Sequence, residues 1–122
     1  MTLTILLPWP PPGSSQNGRK HWAVKNKQSE TDRGIGRYAV KDALAGADSP
    51  FTAGDRFKLF VTYCPPTHNA LDLFDNAPAS CKGMLDGAFA ALGCDDKQVR
   101  QVISQYGAVG KPGGVVITID KL

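Results

Sequence analysis

LDLFDNAPASCKGMLDGAFAALGCDD occupies residues 71–96, and its apolar residues recur at helical spacing between two groups of aspartates. This spacing predicts a helix that begins near Asn76, with Asp75 or Asn76 as its N-terminal cap. Gly93 is expected to end the helix. The predicted buried stripe consists of Ala77, Cys81, Leu85, Ala88 and Leu92. The helix therefore separates the strands predicted before it from those predicted after it.

Strands are predicted on both sides of this helix. Before it, Arg56–Tyr63 is rich in aromatic and β-branched residues, and its alternate side chains share one face. The residues of that face are Phe57, Leu59, Val61 and Tyr63. After the helix, QVRQVISQYG and GVVITI predict two further strands. The KPGG sequence between them predicts a turn, so we expect these two strands to form a hairpin.

The N-terminal part of the chain predicts one more strand and one more helix. Thr2–Leu7 alternates weakly and ends at the prolines of PWPPPG, because proline cannot extend a central strand. A polar loop of about twenty residues follows. Ser29–Asp32 resembles a helix cap, so the helix is expected from there to about Ala45. Its expected inner stripe consists of Ile35, Tyr38, Ala39 and Ala43, and its outer basic stripe of Arg33, Arg37 and Lys41.

The predicted order of elements is β-α-β-α-β-β. It indicates an α/β (α+β) fold, a small mixed β-sheet with two main helices on one face. The length fits one domain over residues 1–122. No apolar run approaches a membrane span, and the N-terminus lacks the basic leader of a signal peptide. Cys64, Cys81 and Cys94 match no zinc spacing, so they are expected to be reduced thiols in a cytoplasm.

Charge is unevenly distributed along the chain. Residues 19–41 carry seven basic residues against two acidic ones, whereas residues 42–122 carry seven against nine. Basic residues interleaved with Trp22 can hold phosphates and stack on a base, although a surface loop with Trp22 in the core is an equal alternative. A solvated basic face is the simpler explanation of the charge alone. The candidate DNA contacts are Arg19, Lys20, Lys25, Lys27, Arg33 and Arg37.

The aspartates around the predicted helix form the second candidate site. Asp72 and Asp75 arrive together before the helix, where either one alone would be a simple cap. Asp75, Lys82 and Asp86 recur on one helical face. Asp95–Asp96 lies just beyond the helix end, where the helix dipole disfavours acid. Such a set favours a Mg²⁺ site for phosphodiester hydrolysis, with the lysine neutralising charge at the phosphate.

These motifs resemble the RusA family of Holliday-junction resolvases, small phage- and prophage-associated endonucleases. The resemblance covers most of the chain and rests on LPWPPP, the DN pair at Asp75-Asn76, K-x-x-x-D at Lys82 and Asp86, DDKQV at residues 95–99 and a final hairpin with K-x-G-G. It implies a homodimer that cuts four-way DNA junctions with Mg²⁺ or Mn²⁺. It also implies that Asp75 and Asp96 are metal ligands and that Lys82 is the catalytic lysine.

The chain departs from the family motif at one position. Family members usually have D-x-D-N, whereas Asp72 lies one place early and Leu73 occupies the position in register. Either a one-residue bulge returns Asp72 to the site, or this ligand is lost. We expect Asp72, Asp75 and Asp96 to hold the metal, with Asp95 as a reserve or supporting residue.

Helix geometry raises a question about this ligand set. A straight helix from Asn76 to Leu92 rises roughly 25 Å, and the four residues from Leu92 to Asp96 reach back at most roughly 14 Å. On these lengths Asp75 and Asp96 of one chain would not share a metal. Either the helix begins later, after an irregular segment through Ser80, or Asp96 completes the site of the other subunit.

The expected function is that of a Mg²⁺-dependent endodeoxyribonuclease that resolves Holliday junctions by paired nicks. Because a four-way junction has two-fold symmetry, we expect a homodimer with two sites. The expected location is the cytoplasm of a bacterium or of a phage-infected cell. Two alternatives stay open: a catalytically degenerate protein that binds branched DNA, and a structural domain whose acids are only helix caps.

Overall fold

The computed structural model describes residues 2–10, 22–68 and 76–122, with the backbone alone described at residues 22–26 and 76. The strands are β1 (Thr2–Leu7), β2 (Phe57–Cys64), β3 (Val99–Tyr106) and β4 (Gly114–Lys121), the helices are α1 (Trp22–Leu44) and α2 (Asn76–Ala91), and a short 3-10 helix covers Asp96–Gln98. The predicted mixed α/β class and element order are confirmed. No helix in the described part of the chain is both long and apolar enough to cross a lipid bilayer.

The four strands of the described residues form one sheet in the order β1-β4-β2-β3. β4 runs antiparallel to both of its neighbours, whereas β2 and β3 are parallel and are connected through α2. The predicted hairpin of β3 and β4 is wrong, because β2 lies between these strands. The connecting segment crosses the end of β2, where the Gly107 N–H donates to the Tyr63 carbonyl (2.8 Å) and the Gly110 N–H to the Pro65 carbonyl (3.0 Å).

The core lies on one face of the sheet, as predicted. Alternate residues of β2 are buried, and they are Phe57, Leu59, Val61 and Tyr63. The same alternation along β4 buries Val115, Ile117 and Ile119. These side chains form one cluster with the buried residues of both helices, among them Val40, Cys81, Met84 and Phe89. Both helices therefore cover the same face.

The structure confirms most of the prediction for α2. Ala77, Cys81, Ala88 and Leu92 are buried, whereas Leu85 is half-buried at the edge of the core. Met84 and Phe89 widen the stripe because a helix that packs on both a sheet and another helix needs two apolar faces. α2 ends at Ala91, and Gly93 follows with a positive φ of 73° that a residue without a side chain adopts without strain.

The prediction for α1 is wrong at its N-terminal end. The helix begins at Trp22, so Ser29–Asp32 lies inside it and the last seven residues of the predicted loop, 22–28, are helical. The polar residues that resembled a cap instead bond within the helix, since Gln28 Nε2 donates to Asp32 Oδ1 (2.9 Å) and the Thr31 hydroxyl donates to the Lys27 carbonyl (3.1 Å). Side chains of this kind satisfy each other at helical spacing as readily as they cap a helix.

The inner stripe of α1 also differs from the prediction. Tyr38 is 74% exposed and Ala43 is exposed, whereas Ile35 and Ala39 are half-buried against the core. The buried positions are Asp32, Gly36 and Val40. The buried face is therefore centred on a glycine, which hydrophobic periodicity does not detect. The predicted outer stripe of Arg33, Arg37 and Lys41 is exposed, as expected.

Backbone contact between α1 and α2 explains why a glycine occupies this position. A Cβ atom on Gly36 would lie 1.7 Å from the Met84 carbonyl oxygen, and one on Gly87 would lie 1.9 Å from the Arg33 carbonyl oxygen. A Cβ atom on Gly83 would lie 2.9 Å from Cβ of Asp32. No side chain fits between the two helices at these points, so the glycines set the distance between the helix axes.

We expect Gly36→Ala to destabilise the protein by roughly 2 kcal/mol or more, because the added methyl group overlaps the α2 backbone. Gly34→Ala is the matched control, since a Cβ atom at Gly34 has nothing within 4 Å. This control gains the same helix propensity and should be neutral or more stable by up to about 1 kcal/mol. Urea denaturation measures both changes, and equal effects would contradict the backbone contact.

Candidate functional site

A lysine held between two carboxylates lies at the surface of α2. Lys82 Nζ donates to Asp86 Oδ1 (3.0 Å) and to Asp96 Oδ2 (2.8 Å). Asp86 comes from the next turn of the same helix, whereas Asp96 comes from the 3-10 helix that follows α2. The three side chains are between 38% and 54% exposed, so a ligand in solution can reach them.

The chain reverses after α2 and brings Asp96 back along the helix. Asp95 caps the 3-10 helix, with Oδ1 accepting from the Lys97 N–H (2.9 Å). In return, the Gln98 side-chain oxygen accepts from the Asp95 N–H (2.8 Å), which completes a capping box. The role of Asp95 in the described structure is therefore to fix the turn that presents Asp96.

Gln98 anchors this turn to the rest of the fold. Its side chain is buried, and its amide nitrogen donates to the carbonyls of Thr52 (3.0 Å) and Asp55 (2.9 Å) in the segment before β2. Both ends of the amide group are therefore used. The sequence analysis missed Gln98, although the D-x-x-Q spacing of a capping box was a signal that could have found it.

Hydrogen bonds fix the charges of Lys82 and Asp96, which together with Asp86 form the ion group of this site. The pKa of Lys82 is raised above its ordinary value of 10.5, first by its bond to Asp96 and then by its bond to Asp86. The pKa of Asp96 is lowered below 3.8, first by Lys82 and then by the Asp95 side chain. Lys82 is therefore protonated and Asp96 ionised throughout the neutral range.

Two shallow pockets adjoin the ion group. One is lined by Asp86, Asp96, Asp95 and Cys94 with residues of the last turns of α2. The other is largely apolar and extends from Asp96 and Lys82 to Pro78 in the first turn of α2. Asp96 and Pro78 in the first turn of α2 therefore border the same pocket.

The structure excludes one of the two explanations for how Asp75 and Asp96 could both serve a metal site. α2 begins at Asn76, so a helix that starts after Ser80 is excluded. Asp96 contacts Lys82, which lies six residues, or about 9 Å of helix rise, after the beginning of α2. Asp96 thus lies beside the middle of the helix rather than beside its end. Completion of the site by a second subunit stays a prediction.

The predicted site residues divide into three groups. Asp72, Asp75, Arg19 and Lys20 lie outside the described residues, as does the side chain of Lys25. Lys82 and Asp96 are brought together, with Asp86 as a third member that was noted in the sequence but not assigned to the site. Lys27, Arg33 and Arg37 are exposed on α1. The Arg33 backbone lies against Gly87, next to Asp86, so one residue of the basic stripe borders α2 through its backbone.

The described residues alone do not make a metal site. Within residues 2–10, 22–68 and 76–122, no three His, Cys, Asp or Glu side chains come close enough to hold an ion. Asp86 and Asp96 share Lys82 as a hydrogen-bond donor, so their charges are partly neutralised. The oxygen donors fit Mg²⁺ by type, and the expected ligand set would need Asp72 and Asp75 as well.

The sequence was also compared with known proteins. No family model matches it. An uncharacterized protein of Xylella fastidiosa (strain Temecula1) is 33% identical over 117 residues, which cover 95% of this chain and 74% of that protein. The similarity therefore extends over nearly the whole length of this chain.

We expect Gln98→Ala to destabilise the protein by about 1–3 kcal/mol, because it removes two hydrogen bonds to the Thr52 and Asp55 carbonyls and the side-chain acceptor of the Asp95 N–H. Gln101→Ala, at an exposed position of β3, is the control and should change stability by less than about 0.5 kcal/mol. Chemical denaturation measures both. A loss at Gln98 no larger than at Gln101 would show that the anchor has no energetic role.

The ion group should contribute little to stability and should do so in a pH-dependent way. At neutral pH we expect Lys82→Gln to cost less than about 1 kcal/mol, because the partners are exposed and screened by solvent. Since the pKa of Asp96 is lowered, the difference between wild type and variant should disappear as the pH falls through it. It should also disappear as the pH rises through the raised pKa of Lys82. Urea denaturation at a series of pH values measures this, and a difference that persists in acid would contradict the assignment.

Proposed function

The chain belongs to the same family as the uncharacterized Xylella fastidiosa protein, and from its own side chains we propose that it is a metal-dependent DNA endonuclease of the RusA type, which resolves Holliday junctions by paired nicks. The observation that carries the proposal is Lys82, held at the surface between Asp86 and Asp96. A fixed cation beside carboxylates suits a reaction in which negative charge develops on a phosphate.

Lys82 would bind the phosphate group at the cleavage position. An ammonium group has three N–H donors, and two of them are used by Asp86 and Asp96 among the described residues. The third can donate to a phosphate oxygen. Because the carboxylates hold Nζ in place, this donor is oriented before the substrate arrives, and no reorganisation is needed as charge develops.

Asp96 would be the described member of the metal site. It stays ionised because the pKa of its carboxyl group is lowered, and the capping box fixes its backbone. Together with Asp72 and Asp75 it would hold Mg²⁺ or Mn²⁺. When bound, the ion supplies Lewis acidity that activates water and stabilises the leaving oxygen. Asp95 would act indirectly, since its carboxylate is used as a cap.

The basic stripe of α1 would guide the DNA backbone to this site. Lys27, Arg33 and Arg37 are exposed, and Arg33 lies beside α2 through its backbone contact with Gly87. Basic residues that point to solvent neutralise phosphates without reading sequence, which suits an enzyme that recognises the shape of a junction. Arg19, Lys20 and Lys25 would extend the same path.

Paired nicks need two sites related by two-fold symmetry, so the proposed enzyme acts as a homodimer. Its substrate is DNA in the cell interior, and we place the protein in the cytoplasm of a bacterium or phage-infected cell. A catalytically degenerate protein that binds branched DNA is the second candidate. It is favoured by one observation, that Lys82 already partly neutralises both described carboxylates of the site.

A nicking assay on a synthetic four-way junction tests the proposal, with linear duplex of the same sequence as substrate control. We expect cleavage with Mg²⁺ or Mn²⁺ and none with EDTA. Asp96→Asn should lower the cleavage rate at least about a hundredfold while junction binding is largely retained. Asp48→Asn is the matched control, because Asp48 is exposed and lies outside the ion group.

Lys82→Gln should lower the rate by a similar factor. Lys121→Gln should not, although Lys121 is also an exposed lysine in an ion pair, with Asp55 at 3.4 Å. The outcomes separate the candidates. Tight junction binding without cleavage supports the degenerate binder. If the protein neither binds nor cleaves the junction, both candidates are excluded and a structural domain is left.

A further inference from the structure

Lys82 is held by two carboxylates that come from different parts of the fold. Asp86 lies four residues after Lys82 on the same face of α2, whereas Asp96 belongs to the turn that follows the helix. An acidic residue four places before a basic one stabilises a helix more than the reverse order, which is the order found here. The stability of α2 is therefore a poor explanation for the Lys82–Asp86 pair.

The contact between the helices fixes the backbone that carries this pair. Gly83 follows Lys82 directly, and a Cβ atom on Gly83 would lie 2.9 Å from Cβ of Asp32 in α1. Gly87 follows Asp86 directly, and its backbone touches α1 in the same way. The position of Asp86 relative to Lys82 therefore follows from α2 alone and does not depend on the turn that presents Asp96.

Asp96 serves both Lys82 and the proposed metal ion. Its Oδ2 accepts from Lys82 Nζ at 2.8 Å, and the same carboxylate is the described member of the proposed metal site. Two cations that share one carboxylate repel each other, and this repulsion is considerable at short distance even beside water. A divalent ion at Asp96 therefore weakens the bond from Lys82 to Asp96, whereas the bond from Lys82 to Asp86 (3.0 Å) is left in place.

We propose that Asp86 is the positioning residue of Lys82, which keeps the ammonium group beside the site when the metal ion takes Asp96. The inference rests on the proposed function, since it concerns the lysine and the metal of that same site. Without Asp86, Lys82 has Asp96 as its one partner among the described residues and opposes the ion more strongly. Lys82 and Asp86 thus have opposite effects on metal affinity.

Asp86 acts through Lys82 in this proposal and not as a metal ligand, and a double-mutant cycle separates the two roles. If Asp86 binds the ion directly, its removal lowers the metal affinity by the same factor with or without Lys82. If Asp86 acts by holding Lys82, its removal costs less once the lysine is absent. The coupling between the two substitutions is therefore the quantity to measure.

Mn²⁺ binding to the DNA-free protein tests the proposal without any turnover, with the electron paramagnetic resonance signal of free Mn²⁺ as the readout. Lys82→Gln should tighten Mn²⁺ binding roughly threefold or more, because it removes the competing cation. Asp86→Asn should weaken binding by a similar factor in the wild type, but by less than about twofold when Lys82 is already Gln. Asp42→Asn, at an exposed position of α1, is the control and should leave binding unchanged.

Junction cleavage at saturating Mn²⁺ tests the position of the lysine. Asp86→Asn should lower kcat roughly tenfold with little change in KM, because the ammonium group is no longer held beside the phosphate. Asp86→Glu keeps a carboxylate on the same helix face and should restore most of the rate. A residue that served only the fold would not show this dependence on charge. Circular dichroism verifies that all variants are folded.

The outcomes distinguish this inference from the proposed function. The inference alone is overturned if Mn²⁺ binds but Lys82→Gln does not tighten binding, or if Asp86→Asn costs the same with and without Lys82. An Asp86→Asn variant with the wild-type kcat overturns it as well. Expected binding results in a protein that cuts no junction would support the inference and refute the endonuclease. A wild-type protein that binds no Mn²⁺ would overturn both.

Discussion

The contact between the backbones of α1 and α2 is the constraint on which the other features depend. Gly36 and Gly87 allow each helix to touch a carbonyl of the other, at distances that no side chain could share. This contact places α2 deep enough for Met84 and Phe89 to reach the sheet while Lys82 and Asp86 stay at the surface. Cys81 is buried in the same layer, and burial raises the pKa of its thiol to about 12, so it packs as an unreactive side chain.

Stability and function are divided between neighbouring residues of the site. Gln98 and Asp95 use their polar side-chain atoms in intramolecular hydrogen bonds that hold the turn after α2. Lys82 and Asp96 direct their charges to solvent, where an ion pair contributes little to folding. The same five-residue motif, DDKQV, therefore contains both the support and the presented group. This division lets the ion group be altered without loss of the fold.

The sequence predicted the secondary structure correctly where the spacing of apolar residues matches the repeat of a single strand or helix. The alternation of β2 and the apolar stripe of α2 predicted the correct elements, because the buried residues of each recur with the period of its secondary structure. The period of a strand does not show which strands lie beside it in the sheet. The hairpin predicted at KPGG is therefore wrong, because β4 lies on the far side of β2 from β3. The capping box of Asp95 and Gln98 is visible in the sequence as D-x-x-Q. The prediction missed it because Asp95 and Asp96 were assigned to a metal site.

The helix errors have a related cause. Polar residues near Ser29 resemble a cap, yet they bond to each other inside α1, and local sequence does not distinguish the two arrangements. Gly36 weakens a helix locally but is required by a contact with Met84, nearly fifty residues later in the chain. For the candidate site, Lys82 and Asp96 are predicted from the sequence, and the structure brings their side chains into contact, whereas their roles stay predictions. The roles of Asp72 and Asp75, outside the described residues, stay predictions.

The position of β4 between β1 and β2 has a consequence for the order of assembly during synthesis. Thr2 in β1 and Asp120 in β4 are 118 residues apart and are joined by a side-chain hydrogen bond. Since β4 forms the bridge from β1 to β2, a nascent chain can collapse its helices early but cannot join its first strand to the sheet until this late segment has left the ribosome.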